Sequence, residues 1–251
     1  MNKIKAYCIN LERAKERREN SEKQYQQLGI DFEFITAVDG KSLTDQEIQE
    51  MDYDEGAAKR LRNIQQSRGL SRMEMACSLS HLKAYRKIVE DKISIALISE
   101  DDVVFNFKKD YLENLIKELP ENWEICFLFH RGLCRRISNG VCRFLSLPGG
   151  AVCYLLNLGV AQKLLDLAKP LRLGPDILIG RATLGGFLKG YGAFPVRVRH
   201  EDKNFSFLGG GLYKESIFKK IYHYLINHFI LVRNIKHFFR RNKNADSVEL
   251  Y

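Results

Sequence analysis

Ile93-Ser94-Ile95-Ala96-Leu97-Ile98-Ser99-Glu100-Asp101-Asp102-Val103-Val104-Phe105 reads as an apolar strand that runs into three acids and then into a second β-prone segment. Three like charges held together repel, and desolvation adds to the cost. A divalent cation removes that cost. Hard ions such as Mn²⁺ or Mg²⁺ prefer carboxylate oxygens and keep positions open for substrate phosphates. Side chains alternate along an extended backbone, so Glu100 and Asp102 point one way and Asp101 the other. The stretch therefore predicts a metal–diphosphate site at a strand end. Its bland alternative is a solvated acidic turn.

Working outward, strands and helices alternate. Residues 4–11 predict a strand, 12–28 a charged helix closed by Gly29, and 32–38 a second strand ended by Asp39-Gly40. A short helix is expected over 44–51. Residues 52–70 are polar and aperiodic and contain Gly56 and Gly69, which reads as a mobile loop over a site. Residues 71–89 place Ala76, Leu79, Leu82, Tyr85, Ile88 and Val89 on one helical face. Beyond the acids, a helix at 109–119 and a strand at 124–129 lead into a basic, irregular stretch over 131–143, with turns at Gly132 and Asn139-Gly140. A strand at 151–156 and a helix at 160–168 follow. Pro175 suits the first helical position, with Asp176 in the first turn. Residues 191–199 form the last expected strand, and Pro195 within it suggests a sheet edge.

This alternation predicts an α/β fold with a doubly wound, mostly parallel sheet. Such sheets bind ligands at the carboxyl ends of their strands. Asn10-Leu11, Asp39-Gly40 and the acidic triplet all fall there.

The 251 residues carry 40 Lys and Arg against 31 Asp and Glu, a net charge of +9. That balance points to an anionic partner. Much of the excess lies after Leu212, where Lys214, Lys219, Lys220, Arg233, Lys236, Arg240, Arg241 and Lys243 face the single acid Glu215 up to position 243. Aromatic and aliphatic residues lie between them. We divide the chain into a catalytic-type domain over 1–208 and a basic, amphipathic helical tail over 209–251. Such a tail suits an anionic membrane surface, the alternative being helices packed on the domain. The tail accounts for the charge, and no nucleic-acid-binding motif is visible, so no nucleic-acid partner is expected. The six cysteines include no CxxC pair, which argues against a zinc ribbon. No secretory h-region and no run of spanning length is seen. The expected location is cytoplasmic, peripheral on an anionic membrane surface, with reduced thiols.

Ala76-Cys77-Ser78-Leu79-Ser80-His81, then a strand, then Glu100-Asp101-Asp102-Val103, resembles glycosyltransferase family 25, which includes lipooligosaccharide galactosyltransferases. Ile9-Asn10-Leu11 with Arg13, Arg17 and Arg18 is similar to that family's first strand and loop. Gly150-Ala151 through Leu156 and Gly159 to Leu165 are similar to its glycine, tyrosine and small-residue block. Pro175-Asp176 sits where the family has an aspartate shortly after a proline, although valine more usually separates the two. Asp202-Lys203-Asn204 with Ser206 resembles a late polar motif. The resemblance spans residues 4–208.

It implies a GT-A-like (Rossmann-like) fold, a UDP-sugar donor, a lipooligosaccharide acceptor, a place on the inner face of a bacterial inner membrane, and transfer with inversion. The expected reaction moves galactose from UDP-galactose to a core sugar, through a β-1,4 bond. The alternatives are another donor such as UDP-glucose, or a non-catalytic, lipid-associated assembly protein. The expected metal ligands are Glu100, Asp102 and His200, and the expected base is Asp176, with Glu201 and Asp202 competing for that role. The expected donor-binding residues are Asn10, Leu11, Arg13, Arg18, Asp39, Ser80, His81 and Asp101. Arg17 is set aside with the solvated, charge-paired face of its helix.

Overall fold

In a computed structural model, which describes residues 4–61 and 68–201, the central strands are almost continuously buried, and successive side chains enter opposite faces of the sheet. In β1 (Ile4–Asn10), Tyr7 and Ile9 enter one apolar cluster, while Ala6 and Cys8 enter a second on the opposite face. In β3 (Ile95–Glu100), Ala96 and Ile98 join the first cluster, and Ile95 and Leu97 the second. In β8 (Cys153–Asn157), Tyr154 and Leu156 go one way, Cys153 and Leu155 the other. Strands buried on both faces need helices on both.

Those helices are present. The first face is covered by α4 (Arg72–Glu90), α6 (Leu158–Leu167) and α7 (Pro175–Leu184), the second by α1 (Lys15–Leu28) and α5 (Lys109–Glu118). Local signals fix several of their ends. Ser71 and Glu74 form a capping box at the start of α4, and Thr44 and Glu47 form another at α2 (Asp45–Glu50). Gly29 closes α1 with a left-handed φ of 61°. Pro175 occupies the first turn of α7.

The remaining strands are β2 (Asp31–Thr36), β4 (Val103–Phe105), β5 (Ile125–Phe127), β6 (Cys134–Arg136), β7 (Val141–Phe144), β9 (Gly190–Ala193) and β10 (Val198–His200). The main sheet has eight strands in the order β2-β1-β3-β8-β5-β9-β7-β6, and β4 pairs with β10 separately. Six of the eight strands run in one direction, and β8 and β7 run against them. The fold is the expected doubly wound α/β arrangement with a mostly parallel sheet.

Three local expectations need correction. The irregular basic stretch over 131–143 is a hairpin, β6 and β7, turning at Asn139-Gly140. The expected last strand is two strands. β9 lies inside the sheet between β5 and β7, and Pro195, which lacks an N–H, falls in the gap before β10 rather than on an edge strand. Residues 52–70 contain the helix α3 (Glu55–Leu61), and Tyr53 is anchored by a bridge to Leu171 and by accepting a hydrogen bond from the Leu70 N–H at 2.8 Å. Residues 62–67, Asp202 and the rest of the late polar motif, and the tail lie outside the described residues.

At the amino ends of β1 and β2, Asp91 accepts from Lys87 at 2.8 Å, Lys5 at 2.9 Å and the Tyr7 hydroxyl at 2.8 Å. Those three donors, Lys87 foremost, hold its carboxyl well below the usual range. A depressed carboxyl contributes stability that is present above its unfolded pKa, about 4, and lost as the pH falls below it. Asp91→Asn is therefore expected to lower the melting temperature at pH 7 and to narrow the gap from wild type towards pH 3. Melting curves across that range check this. A constant gap would contradict it.

Candidate active site

Three strand ends meet at one edge of the sheet. Because β1, β2 and β3 are parallel, Asn10, Thr36 and Glu100 finish side by side. The chain turns at Asp101-Asp102 and continues as β4, whose partner β10 brings His200 opposite Val103. The Glu201 N–H donates to the Asp102 carbonyl at 2.7 Å, which locks that register.

The side chains sort as alternation predicts, although the strand itself ends at Glu100. Ligand atoms of Glu100, Asp102 and His200 lie within 4.8 Å of one another. His200 Nε2 is 3.1 Å from Asp102 Oδ2. The other carboxylate oxygen, Asp102 Oδ1, is buried and has no hydrogen-bond partner. An orphaned carboxylate oxygen beside a second carboxylate and an imidazole fits a divalent cation of the Mn²⁺ or Mg²⁺ class.

Asp101 turns away from this group. Its Oδ2 accepts from Asn10 Nδ2 at 2.7 Å and its Oδ1 from Arg17 at 3.2 Å. Burial raises its carboxyl pKa, opposed chiefly by the Asn10 hydrogen bond. Both oxygens are occupied, so Asp101 organises the turn. Arg17 also reaches Asp102 Oδ2 at 3.4 Å, which makes it the arginine nearest the acids.

Arg13 and Arg18 take other partners. Arg13 pairs with Asp39 at 2.7 Å, and this contact, with the Lys41 N–H, lowers the Asp39 carboxyl. Arg18 lies over the Phe34 ring at 3.9 Å. The Leu11 carbonyl accepts from the Ala14 N–H at 2.8 Å, turning the chain from β1 towards α1. Ser80 donates to the Ala76 carbonyl at 2.7 Å and accepts from the Val38 N–H at 2.9 Å, tying the loop after β2 to α4. Gly40 is needed in that loop, because a Cβ there would lie 2.9 Å from Met73 Cα.

His81 is a buried link into the site. Its Nε2 is 3.4 Å from Glu100 Oε1, its Nδ1 is 2.8 Å from the Tyr154 hydroxyl, and that hydroxyl is 2.8 Å from the Tyr85 hydroxyl. A carboxylate only accepts, so Nε2 carries the proton and Nδ1 accepts from Tyr154. The chain runs in one direction, from Tyr85 through Tyr154 and His81 to Glu100. The sequence places His81 and Tyr85 one turn apart on α4, but not the hydrogen-bonded relay, which forms only when Tyr154 of β8 packs between them. Tyr154→Phe should leave the ring nitrogen unsatisfied and cost about 1–3 kcal/mol of stability. Metal affinity should fall about 10–100-fold as Glu100 loses its brace. Urea unfolding and Mn²⁺ titration check the two effects, and unchanged Mn²⁺ affinity would sink the bracing role.

Asp176 is half-buried in the first turn of α7, where the N-cap residue, Gly174, supplies no side-chain cap. Burial and then the charges of Glu100, Asp176 and Asp102 push the Cys77 thiol well up. Ligand atoms of Cys77, His81 and Glu100 also lie within 4.8 Å of one another.

Comparisons with known proteins place the chain in a family. Residues 3–179 match the profile of glycosyltransferase family 25 (LPS biosynthesis protein). Procollagen galactosyltransferase 1 of Danio rerio is 30% identical over 179 residues, covering 66% of this chain and 29% of that protein. Human procollagen galactosyltransferase 2 is 29% identical over 126 residues, covering 49% and 20%. A glycosyltransferase 25 family member of Drosophila melanogaster is 30% identical over 115 residues, covering 46% and 18%. The chain thus spans less than a third of these relatives' length. Among solved structures, a glycosyltransferase involved in glycosylation of the major capsid of PBCV-1 aligns with a TM-score of 0.37 and 12% identity over 66% of each chain. With the match running from the first strand through the acidic triplet into α7, this chain belongs to glycosyltransferase family 25.

Proposed function

We propose that the chain is a metal-assisted, inverting hexosyltransferase that moves galactose from UDP-galactose to a core sugar of lipooligosaccharide, through a β-1,4 bond. The observation that carries this reading is the convergence of Glu100, Asp102 and His200, with one Asp102 oxygen buried and unpartnered. Galactose as the donor sugar draws on the names of the procollagen relatives.

In this reading Glu100, Asp102 and His200 hold Mn²⁺ or Mg²⁺. Such a cation neutralises charge that builds on a departing nucleoside diphosphate. Asn10 and Arg17 fix Asp101 and with it the turn that aims Asp102. His81 fixes Glu100. Arg13 and Asp39, on the loops after β1 and β2, face the nucleoside. Inversion by direct displacement needs one base, and Asp176 takes the proton from the acceptor hydroxyl. Asp176 is preferred to Glu201, which is exposed and held through its backbone at Asp102.

The acceptor side draws on a different feature. Among the described residues, the exposed large apolar side chains are Leu133, Ile137, Leu145, Phe194 and Val196, all on the β6–β7 hairpin or just after β9. Arg135, Arg136, Arg143 and Arg197 are exposed among them, with Arg136 over the Phe194 ring at 5.5 Å. Apolar tips ringed by arginine suit the anionic lipid surface that carries such an acceptor. No helix of the described residues is long and apolar enough to cross a membrane. The double variant Leu133→Glu/Leu145→Glu should sediment with anionic vesicles several-fold less than wild type. Equal sedimentation would remove this face from the account.

The reaction is tested by UDP release from a panel of UDP-sugars, with and without Mn²⁺ and with core oligosaccharide as acceptor. The expected result is metal-dependent turnover of UDP-galactose. Turnover of UDP-glucose alone would reassign the donor. No turnover of any sugar, together with metal-independent UDP binding, would favour an assembly role.

A further inference from the structure

A second group of ligating side chains lies on the hairpin, outside the site above. Ligand atoms of His130, Cys134 and Cys142 are within 4.8 Å of one another. His130 Nε2 is 3.8 Å from Cys142 Sγ and 3.0 Å from the Ala193 carbonyl. Cys134 pairs with Phe144 and Arg136 with Cys142 in the β6–β7 ladder, so the two cysteines are diagonal neighbours on one face. His130 reaches that face from the loop after β5, its ring edge-on to Phe144 at 5.0 Å.

Beneath them the sheet is hollowed. Gly192 of β9 pairs with Cys142, and a Cβ there would fall 2.9 Å from Cys142 Sγ and 2.9 Å from His130 Nε2. Only a residue without a side chain leaves this space. Both cysteines are free thiols.

We propose that His130, Cys134 and Cys142 bind a zinc ion that clips the hairpin to the loop after β5. Two thiols and one imidazole are a soft, nitrogen–sulfur donor set, which selects zinc over the oxygen-seeking ions suited to Glu100 and Asp102. The 3.8 Å sulfur–nitrogen spacing is near the roughly 3.6 Å that tetrahedral zinc bonds of about 2.3 and 2.05 Å require. On binding, each thiol releases its proton to solvent and two Zn–S bonds form. The His130 proton now shared with the Ala193 carbonyl moves to Nδ1, freeing Nε2 for the metal. Two thiolates balance the ion's charge, so no net charge is added to an arginine-rich hairpin. His130 and Cys134 are half-exposed, which leaves the fourth position to water.

The clip has a structural purpose. His130 follows Phe129, whose ring lies 6.0 Å from that of His200. Bracing His130 therefore steadies both the exposed apolar hairpin and the wall beside the acidic site.

The test is zinc content of the full chain, purified reduced and without chelator, with the cobalt-substituted form read by absorption. About one equivalent of zinc and a sulfur-to-cobalt charge-transfer band are expected in wild type and in Asp102→Ala. Both should be lost in Cys134→Ser, at a half-exposed position that tolerates the change, and in His130→Gln. Zinc retained in those two variants, zinc absent from wild type, or a Cys134–Cys142 disulfide in its place would overturn the proposal. Loss of zinc in Asp102→Ala alone would assign the ion to the acidic site and overturn it too.

Discussion

Asp102→Ala is expected to lower turnover of the UDP-sugar about a thousandfold, the equivalent of roughly 4 kcal/mol of lost transition-state stabilisation. Asp102 Oδ2 lies between His200 at 3.1 Å and Arg17 at 3.4 Å, while Oδ1 is buried without a partner. Truncation deletes the orphaned ligand and leaves Glu100 and His200 without the residue between them. Stability should change little, within about 1 kcal/mol, because one negative charge leaves a cluster of three. Activity loss with an unchanged melting temperature is the signature, read by UDP-release assays and thermal denaturation. A variant that keeps its Mn²⁺ dependence and most of its rate would place the metal elsewhere.

The second large effect is expected at α7. Asp176→Asn keeps the size of the side chain and its half-buried place in the first turn but removes the base. General-base loss typically costs 10²–10⁴-fold in kcat, whereas the lost helix-dipole contact is worth only about 0.3–1 kcal/mol of stability. UDP affinity in the presence of Mn²⁺ should be unchanged, because no step of donor binding uses this carboxyl. Steady-state kinetics paired with UDP titration separate the two outcomes. If Asp176→Asn stays active while Glu201→Gln does not, the base is Glu201, and α7 serves the fold alone.

Much of this was legible in the chain before its fold was known. The acidic triplet announced itself because three adjacent acids between apolar strands carry a cost that only a ligand or solvent relieves. Helical periodicity located α4, whose Leu82, Tyr85 and Ile88 are buried in one cluster, and β-prone or apolar runs located β1 and β3. Other features depend on contacts that no local pattern encodes. Arg17 looked like one more charge on a solvated helix, yet it is the arginine that touches Asp101 and Asp102. Tyr154 is far in sequence from His81 and Tyr85, which share α4, and joins them only when α4 packs against β8. The hairpin was hidden by its own arginines, which weaken strand character, although Asn139-Gly140 was a fair turn signal. His130, Cys134 and Cys142 lack the CxxC spacing that marks a metal site locally, because the hairpin register and β9 bring them together.

If the strand-end acids form a metal-dependent nucleotide site, UDP affinity depends on both the metal and Asp102. Calorimetric titration of UDP into the wild-type chain, with and without Mn²⁺, tests it most directly. UDP binding should appear only with the metal and vanish in Asp102→Ala. Equal UDP affinity with and without Mn²⁺, or undiminished binding in that variant, would contradict it.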